Sequence, residues 1–214
     1  MLIPIFIVIY YYIKITQDYK TPFLALFRMV IQLLLIGYIL VFIFTTKSPW
    51  FILAILLVML TFAAIISLRP LENRDKNLYL KSFISIAVGG IITLAIVIFG
   101  VIKPKIWYEP RITIPLAGMV FANAMNSLSI FLDRLNSKNS TLKEAFSAAL
   151  IPVINSFFAV GLVSLPGMMT GQILSGVDPL IAVRYQILVM LMVLSGSGLS
   201  IIIFIKLSHK LDKK

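Results

Sequence analysis

Amide, guanidinium and thioether side chains embedded in apolar sequence are the residues of this chain best placed to do chemistry. Arg28 and Gln32 are four residues apart, and Met119, Asn123 and Asn126 follow an i, i+4, i+7 pattern, so on helices each set shares a face. Asn155 comes next, then Met168, Met169 and Gln172, then Arg184 and Gln186. In hydrocarbon such groups either hydrogen-bond between helices or line a polar route. The first reading makes each Asn a helix–helix fastener. The second strings Asn123, Asn126, Asn155, Met168, Met169 and Gln172 along a substrate path. Arg28, within two turns of its span's end, is placed to snorkel, which gives it a structural role. Gln32, Arg184 and Gln186 are read as structural or path-lining.

The stretch GLVSLPGMMTGQILSGVDPLIAVRYQI, residues 161–187, adds helix breakers to these polar groups. Backbone freed by Pro166, Gly167, Gly171 and Gly176 inside a bilayer must be satisfied by protein or by a water-lined cavity, and broken helices of this kind mark translocation paths. A broken segment is therefore expected around residues 164–178, with Pro166, Gly167 and Gly171 as gate or hinge.

Other chemistries lack their residues. The chain has no Cys and a single His, His209, in a basic tail, which leaves thiol catalysis, iron–sulfur ligation, paired-His haem and structural zinc without ligands. No GxxxxGK[ST] loop grips phosphate, so any ATP hydrolysis belongs to a partner subunit. Asp18, Glu72, Asp75, Glu109, Asp133, Glu144, Asp178 and Asp212 all fall in connections or at span ends, so no carboxylate sits mid-membrane to couple proton or sodium flow. Energy is expected to enter from the cytoplasmic face. Soft thioether sulfur suits copper(I), but Met168 and Met169 are adjacent and point apart on a helix. No metal is assigned, and no cofactor is expected on the chain itself; a passing metal would be weakly bound or chelated.

The elements that must position these residues are membrane spans. Of 214 residues, 60% are hydrophobic and 13% charged, and the mean hydropathy is +1.04, too little polar surface for a water-soluble domain. Apolar runs of about 20 residues recur, at 21–46, 49–67, 83–102, 112–132, 145–163 and 180–205. The first segment, 2–13, is shorter than the roughly 17 residues that cross unaided, so it is either a short seventh span or an interfacial helix. It is not read as a signal peptide, since no basic residue precedes it and no small-residue cleavage site follows. Trp50, Trp107 and Tyr108 at span ends are read as interfacial anchors. The expected fold is an all-α integral membrane protein, a helical bundle of six or seven spans forming a single domain over residues 1–214.

The formal charge of +11 is concentrated in the connections. Alternate connections collect Lys14, Lys20, Arg69, Arg74, Lys76, Lys81, Arg134, Lys138, Lys143, Lys206, Lys210, Lys213 and Lys214 on one side, against Lys47, Lys103, Lys105 and Arg111 on the other. That split places the first group and the C-terminus in the cytoplasm of a cell membrane protein, and it explains the charge without nucleic acid. The short connections leave no room for a soluble catalytic domain, and no plausible nucleophile and base share a depth, so the chain is not read as an enzyme.

Three blocks carry a family resemblance: RMVIQLLLIGYIL (28–40), WYEPRITIPLAGMVFANAMNSLSIFLDRL (107–135) and ALIPVINSFFAVGLVSLPGMMTGQILSGVDPLIAVRYQI (149–187). They resemble the FetB-type ABC transporter permeases, whose bacterial members work with an ATP-binding subunit in iron export and whose plant relatives are linked to aluminium tolerance. The resemblance implies a homodimer with two ATP-binding subunits, exporting iron or another metal or small solute. Family members carry a longer cytoplasmic helical stretch before the ALIP helix, and here Leu135 to Leu142 replaces it. Coupling to the ATPase is then expected at Arg69, Glu72, Arg74, Lys143 and Glu144. Ser140 or Thr141 is expected to cap the following helix. A passive channel or facilitator, and a membrane adaptor that transports nothing, remain as alternatives.

Overall fold

A chain this apolar satisfies its backbone inside lipid only as helices, and helices are what it forms. The computed structural model describes residues 2–45, 48–71, 75–137 and 140–208, the side chains of 2, 3 and 41 excepted. Among the described residues eight α-helices follow one another: α1 Leu2–Thr16, α2 Lys20–Thr45, α3 Pro49–Ser67, α4 Lys76–Ala95, α5 Pro110–Asn136, α6 Leu142–Ala159, α7 Gly167–Leu174 and α8 Pro179–Leu207. Helix α4 continues into a π-helical tail, Ile96–Ile102. Six of these segments are long and apolar enough to cross a bilayer: α2, α3, α4 with its tail, α5, α6 and α8. Each overlaps one of the six expected spans, with α4 starting earlier and α6 ending earlier than expected, and no strand forms among the described residues. The chain divides into two compact units, Met1–Lys47 and Ser48–Lys214.

The first unit holds α1 and α2. Asp18 ends the short link between them by accepting the backbone N–H of Lys20 and Thr21 on Oδ1, each at 3.0 Å, a capping arrangement that starts α2.

In the second unit α4 and α5 both pack along α8, α3 packs on α4 and α5, and α6 lies against α5 and α8. Small residues let the backbones approach, as lipid-embedded helices require. A Cβ added at Gly89 of α4 would lie 2.8 Å from the Ser200 backbone nitrogen of α8, and one at Gly196 of α8 would lie 2.7 Å from Val120 Cγ1 of α5. Around this contact Leu68, Ile86, Leu128, Phe131, Met192, Ile201 and Phe204 are buried, and the rings of Phe131 and Phe204 meet edge-on at 6.4 Å.

Hydroxyls in this core bond mostly within their own helices. Thr93 donates to Gly89 O at 2.8 Å and Ser200 to Gly196 O at 2.7 Å. Ser67 and Ser82 instead join α3 to α4, oxygen to oxygen, at 2.6 Å. Thr141 starts α6 with a full capping box: Glu144 N–H donates to Thr141 Oγ1 at 3.2 Å, and Thr141 N–H donates to Glu144 Oε2 at 3.0 Å. That is the cap the sequence led us to expect.

Candidate functional site

The broken segment forms where breakers and polar residues coincide in sequence. Helix α6 stops at Ala159, four residues before the expected end at Val163, because the chain turns back on itself. Val163 N–H and Ser164 N–H return to Ala159 O at 2.8 and 3.2 Å, and Gly161 N–H donates to Ser164 O at 3.0 Å. Gly161 takes φ of +82°, a conformation that glycine adopts without steric cost. Pro166 then caps the eight-residue α7 from outside, its carbonyl accepting from Thr170 N–H at 2.9 Å.

SGVDP ends α7 and starts α8 within five residues. Val177 N–H donates to Gln172 O at 3.0 Å and Gly176 N–H to Ile173 O at 2.9 Å, with Gly176 at φ +88°, which is a Schellman closure. Asp178 Oδ1 accepts from Leu180 N–H at 2.9 Å and Ile181 N–H at 3.3 Å, and Pro179 occupies the first helical position. The backbone of 160–178 is thus largely satisfied by its own neighbours.

This fold forms a half-open cavity of about 270 Å³, near the small end of ligand pockets. Phe157 of α6, Val160, Gly161, Leu165 and Pro166 of the turn, and Met169 of α7 form one side. Val183, Gln186, Ile187, Met190 and Leu191 of α8 form the other. The walls are almost wholly apolar. Gln186 is 6% exposed and its Oε1 has no hydrogen-bond partner. Gln172, on α7, likewise carries a buried Oε1 without a partner, although it is not part of the wall.

Of the residues singled out in the sequence, the cavity gathers Pro166, Met169 and Gln186. Met168 faces the other way and packs on the helical core, as adjacent methionines on one helix must. Gly167 and Gly171 lie on α7 with open space where a Cβ would go. Arg184 is exposed on α8. Asn123 is half-buried on α5 and donates from Nδ2 to Met119 O of its own helix at 2.8 Å; Asn126 on α5 and Asn155 on α6 are exposed. None of the three lines the cavity. Arg28 and Gln32 are exposed on α2, in the first unit.

Of the expected ATPase contacts, Arg69 follows α3 and Lys143 and Glu144 stand in the first turn of α6, all exposed; Glu144 is already engaged by its cap. Glu72 and Arg74 lie outside the described residues. So does His209.

Sequence reasoning missed Phe157, Val183, Ile187, Met190 and Leu191. The signal was present: 183, 186, 187, 190 and 191 follow the i, i+3, i+4, i+7, i+8 spacing of one helix face, with Gln186 as its one amide. Metal ligands are not brought together among the described residues, where no three of His, Cys, Asp and Glu cluster. The cavity itself offers only the thioethers of Met169 and Met190 and the Gln186 amide.

The sequence model of a family described as "Uncharacterised protein family (UPF0014)" matches residues 1–141 and 136–211. The chain belongs to the UPF0014 family. Its match comes in two pieces that overlap at 136–141, where α5 ends and the connection to α6 runs. Among UPF0014 relatives, the chain is 37% identical over 197 residues to the UPF0014 membrane protein slr1647 of Synechocystis, covering 82% of this chain and 76% of that one. It is 35% identical over 208 residues to the probable iron export permease protein FetB of Escherichia coli, covering 86% and 78%. It is 33% identical over 196 residues to the protein ALUMINUM SENSITIVE 3 of Arabidopsis thaliana, covering 81% and 70%. No solved structure matches the chain. The six apolar spans and these relatives establish a multi-pass membrane protein of the UPF0014 family.

Proposed function

We propose that the chain is the membrane-spanning permease subunit of a transporter driven by a separate ATP-binding subunit. It exports iron, or another metal or small solute, across the cell membrane as a homodimer. The observation that carries this reading is the interruption between α6 and α8: two span-length helices are separated by a turn and an eight-residue helix that walls a cavity within apolar sequence. Such interruptions serve alternating access, since a short helix held by local caps can move against its neighbours without unravelling a span. The name of the Escherichia coli relative supports iron and export. In this mechanism closure of the ATP-binding partners pushes on the connections at 68–75 and 137–141, with Arg69, Glu72, Arg74, Lys143 and Glu144 as contacts. Helices α6 and α8 transmit the push, and α7, with Pro166, Gly167 and Gly171, opens the far end. Asn123, Asn126 and Asn155 would line the route between.

The test is recovery of the tagged chain from its own host in mild detergent, followed by an ATPase assay of whatever remains bound. A stoichiometric ATP-binding subunit whose hydrolysis rises with added iron is the expected outcome. The short connection between α5 and α6 favours one second reading, a passive facilitator. Recovery of the folded chain alone, together with nucleotide-independent flux in vesicles, selects that reading and removes the first.

A further inference from the structure

The cavity beside Gln186 has a chemistry that transport alone does not explain. Its walls carry no charged side chain: Arg184, two residues away on α8, is exposed and outside the wall. A bare cation would find two thioethers and one amide there, and an anion would find no positive charge, so either would lose hydration without replacement. Yet the cavity is not purely apolar. Gln186 is 6% exposed with Oε1 unpartnered, and a buried acceptor left unpaired carries its full desolvation penalty. The oxygen is sealed from water as the side chain lies, so a ligand that draws the Gln186 amide toward the cavity, supplies one hydrogen bond and otherwise fills space removes that cost.

We propose that this cavity binds an uncharged, single-chain amphiphile, its hydroxyl on the Gln186 amide and its alkyl chain against Phe157, Leu165, Met169, Ile187 and Met190. A hydroxyl both donates and accepts, so it satisfies either end of an amide. The small volume admits one short chain or the end of a longer one. The same chemistry is available from a bilayer lipid with a free hydroxyl or from a soluble apolar alcohol, including a cargo of that kind. The site goes beyond the permease reading and is tested without transport, so failure of either leaves the other standing.

The probe is a photoactivatable diazirine analogue of octanol, applied to the full chain in lipid nanodiscs, with its methyl ether as the control that lacks the donor. Adducts are located by peptide mass spectrometry. Labelling is expected on residues 157–169 and 183–191 and to be displaced by excess octanol. Gln186→Leu should lower labelling by the alcohol about three- to tenfold, to the level of the ether, matching the worth of one hydrogen bond. Val183→Trp, which fills the cavity, should abolish labelling by both. Circular dichroism and gel filtration check that each variant folds; if either fails, displacement by octanol in the unaltered chain decides. Labelling that octanol does not displace overturns the site, and so does labelling that a folded Gln186→Leu and a folded Val183→Trp both leave unchanged. Organic extracts then separate the sources. A hydroxyl-bearing lipid enriched on the unaltered chain over Val183→Trp assigns the bilayer, whereas saturable labelling with no enriched lipid assigns a soluble ligand.

Discussion

Asn123 and Gln186 are both amides in apolar helices, and their surroundings give them different roles. Asn123 Nδ2 donates to Met119 O, four residues back on the same helix. That bond ties no second helix, so the residue adds little to packing beyond its volume, and membrane hydrogen bonds average only about 0.6 kcal/mol even between helices. Asn123→Leu should therefore change stability in a detergent unfolding titration by less than about 1 kcal/mol. If export falls while stability holds, Asn123 belongs to the substrate path; a loss of stability well above that figure would mark it as a fastener of the fold. Gln186 has no such local partner for its oxygen, which is buried. One amide closes on its own helix and the oxygen of the other is buried without a partner, a difference that residue type does not announce.

Glycines make the corresponding distinction between elements. Gly89 sits where α4 meets α8, and a methyl there would come within 2.8 Å of Ser200 N, a backbone atom that cannot step aside. Gly89→Ala should cost about 1–3 kcal/mol of stability through overpacking, read as a lowered midpoint in the same unfolding titration. Gly167 and Gly171 of α7 face open space, so Gly167→Leu and Gly171→Leu should fold and insert normally while abolishing export. Normal export by both would remove α7 as the gate. Spans were legible in the sequence because an apolar run of membrane length has one solution in lipid: α3 begins and ends at the expected Pro49 and Ser67. The break around 164–178 was legible because proline and glycine punctuate a chain locally, and so was the cap at Thr141. The cavity was not, since it depends on where the α6 end lies against the α8 face, and such pairing has no local signature. The early stop of α6 at Ala159 escaped for a related reason: Val160 to Val163 are apolar enough to continue a helix, and only the hydrogen bonds of the turn decide that they do not.

For the whole molecule, orientation decides what the broken segment can do. Basic residues crowd the connections before α4 and after α5, and the orientation we propose from that charge split has 68–75 and 137–141 inside and 103–109 and 160–178 outside. On that arrangement the permease proposed above has α7 and its cavity on the face opposite its ATP-binding partner, where its outward gate belongs, with α6 and α8 as the proposed link through the bilayer. The chain contains no Cys, so single cysteines report sidedness without a background. Lys105, Ser137 and Ser175 are all exposed. In intact cells a membrane-impermeant maleimide should label Lys105→Cys and Ser175→Cys, and should reach Ser137→Cys only after permeabilisation. Exposure of Ser175→Cys on the outside together with a bound ATP-binding subunit would make export the direction that the geometry supports. If Ser175→Cys reacts only after permeabilisation, α7 shares a face with the partner, and an outward gate at Gly167 and Gly171 is no longer tenable.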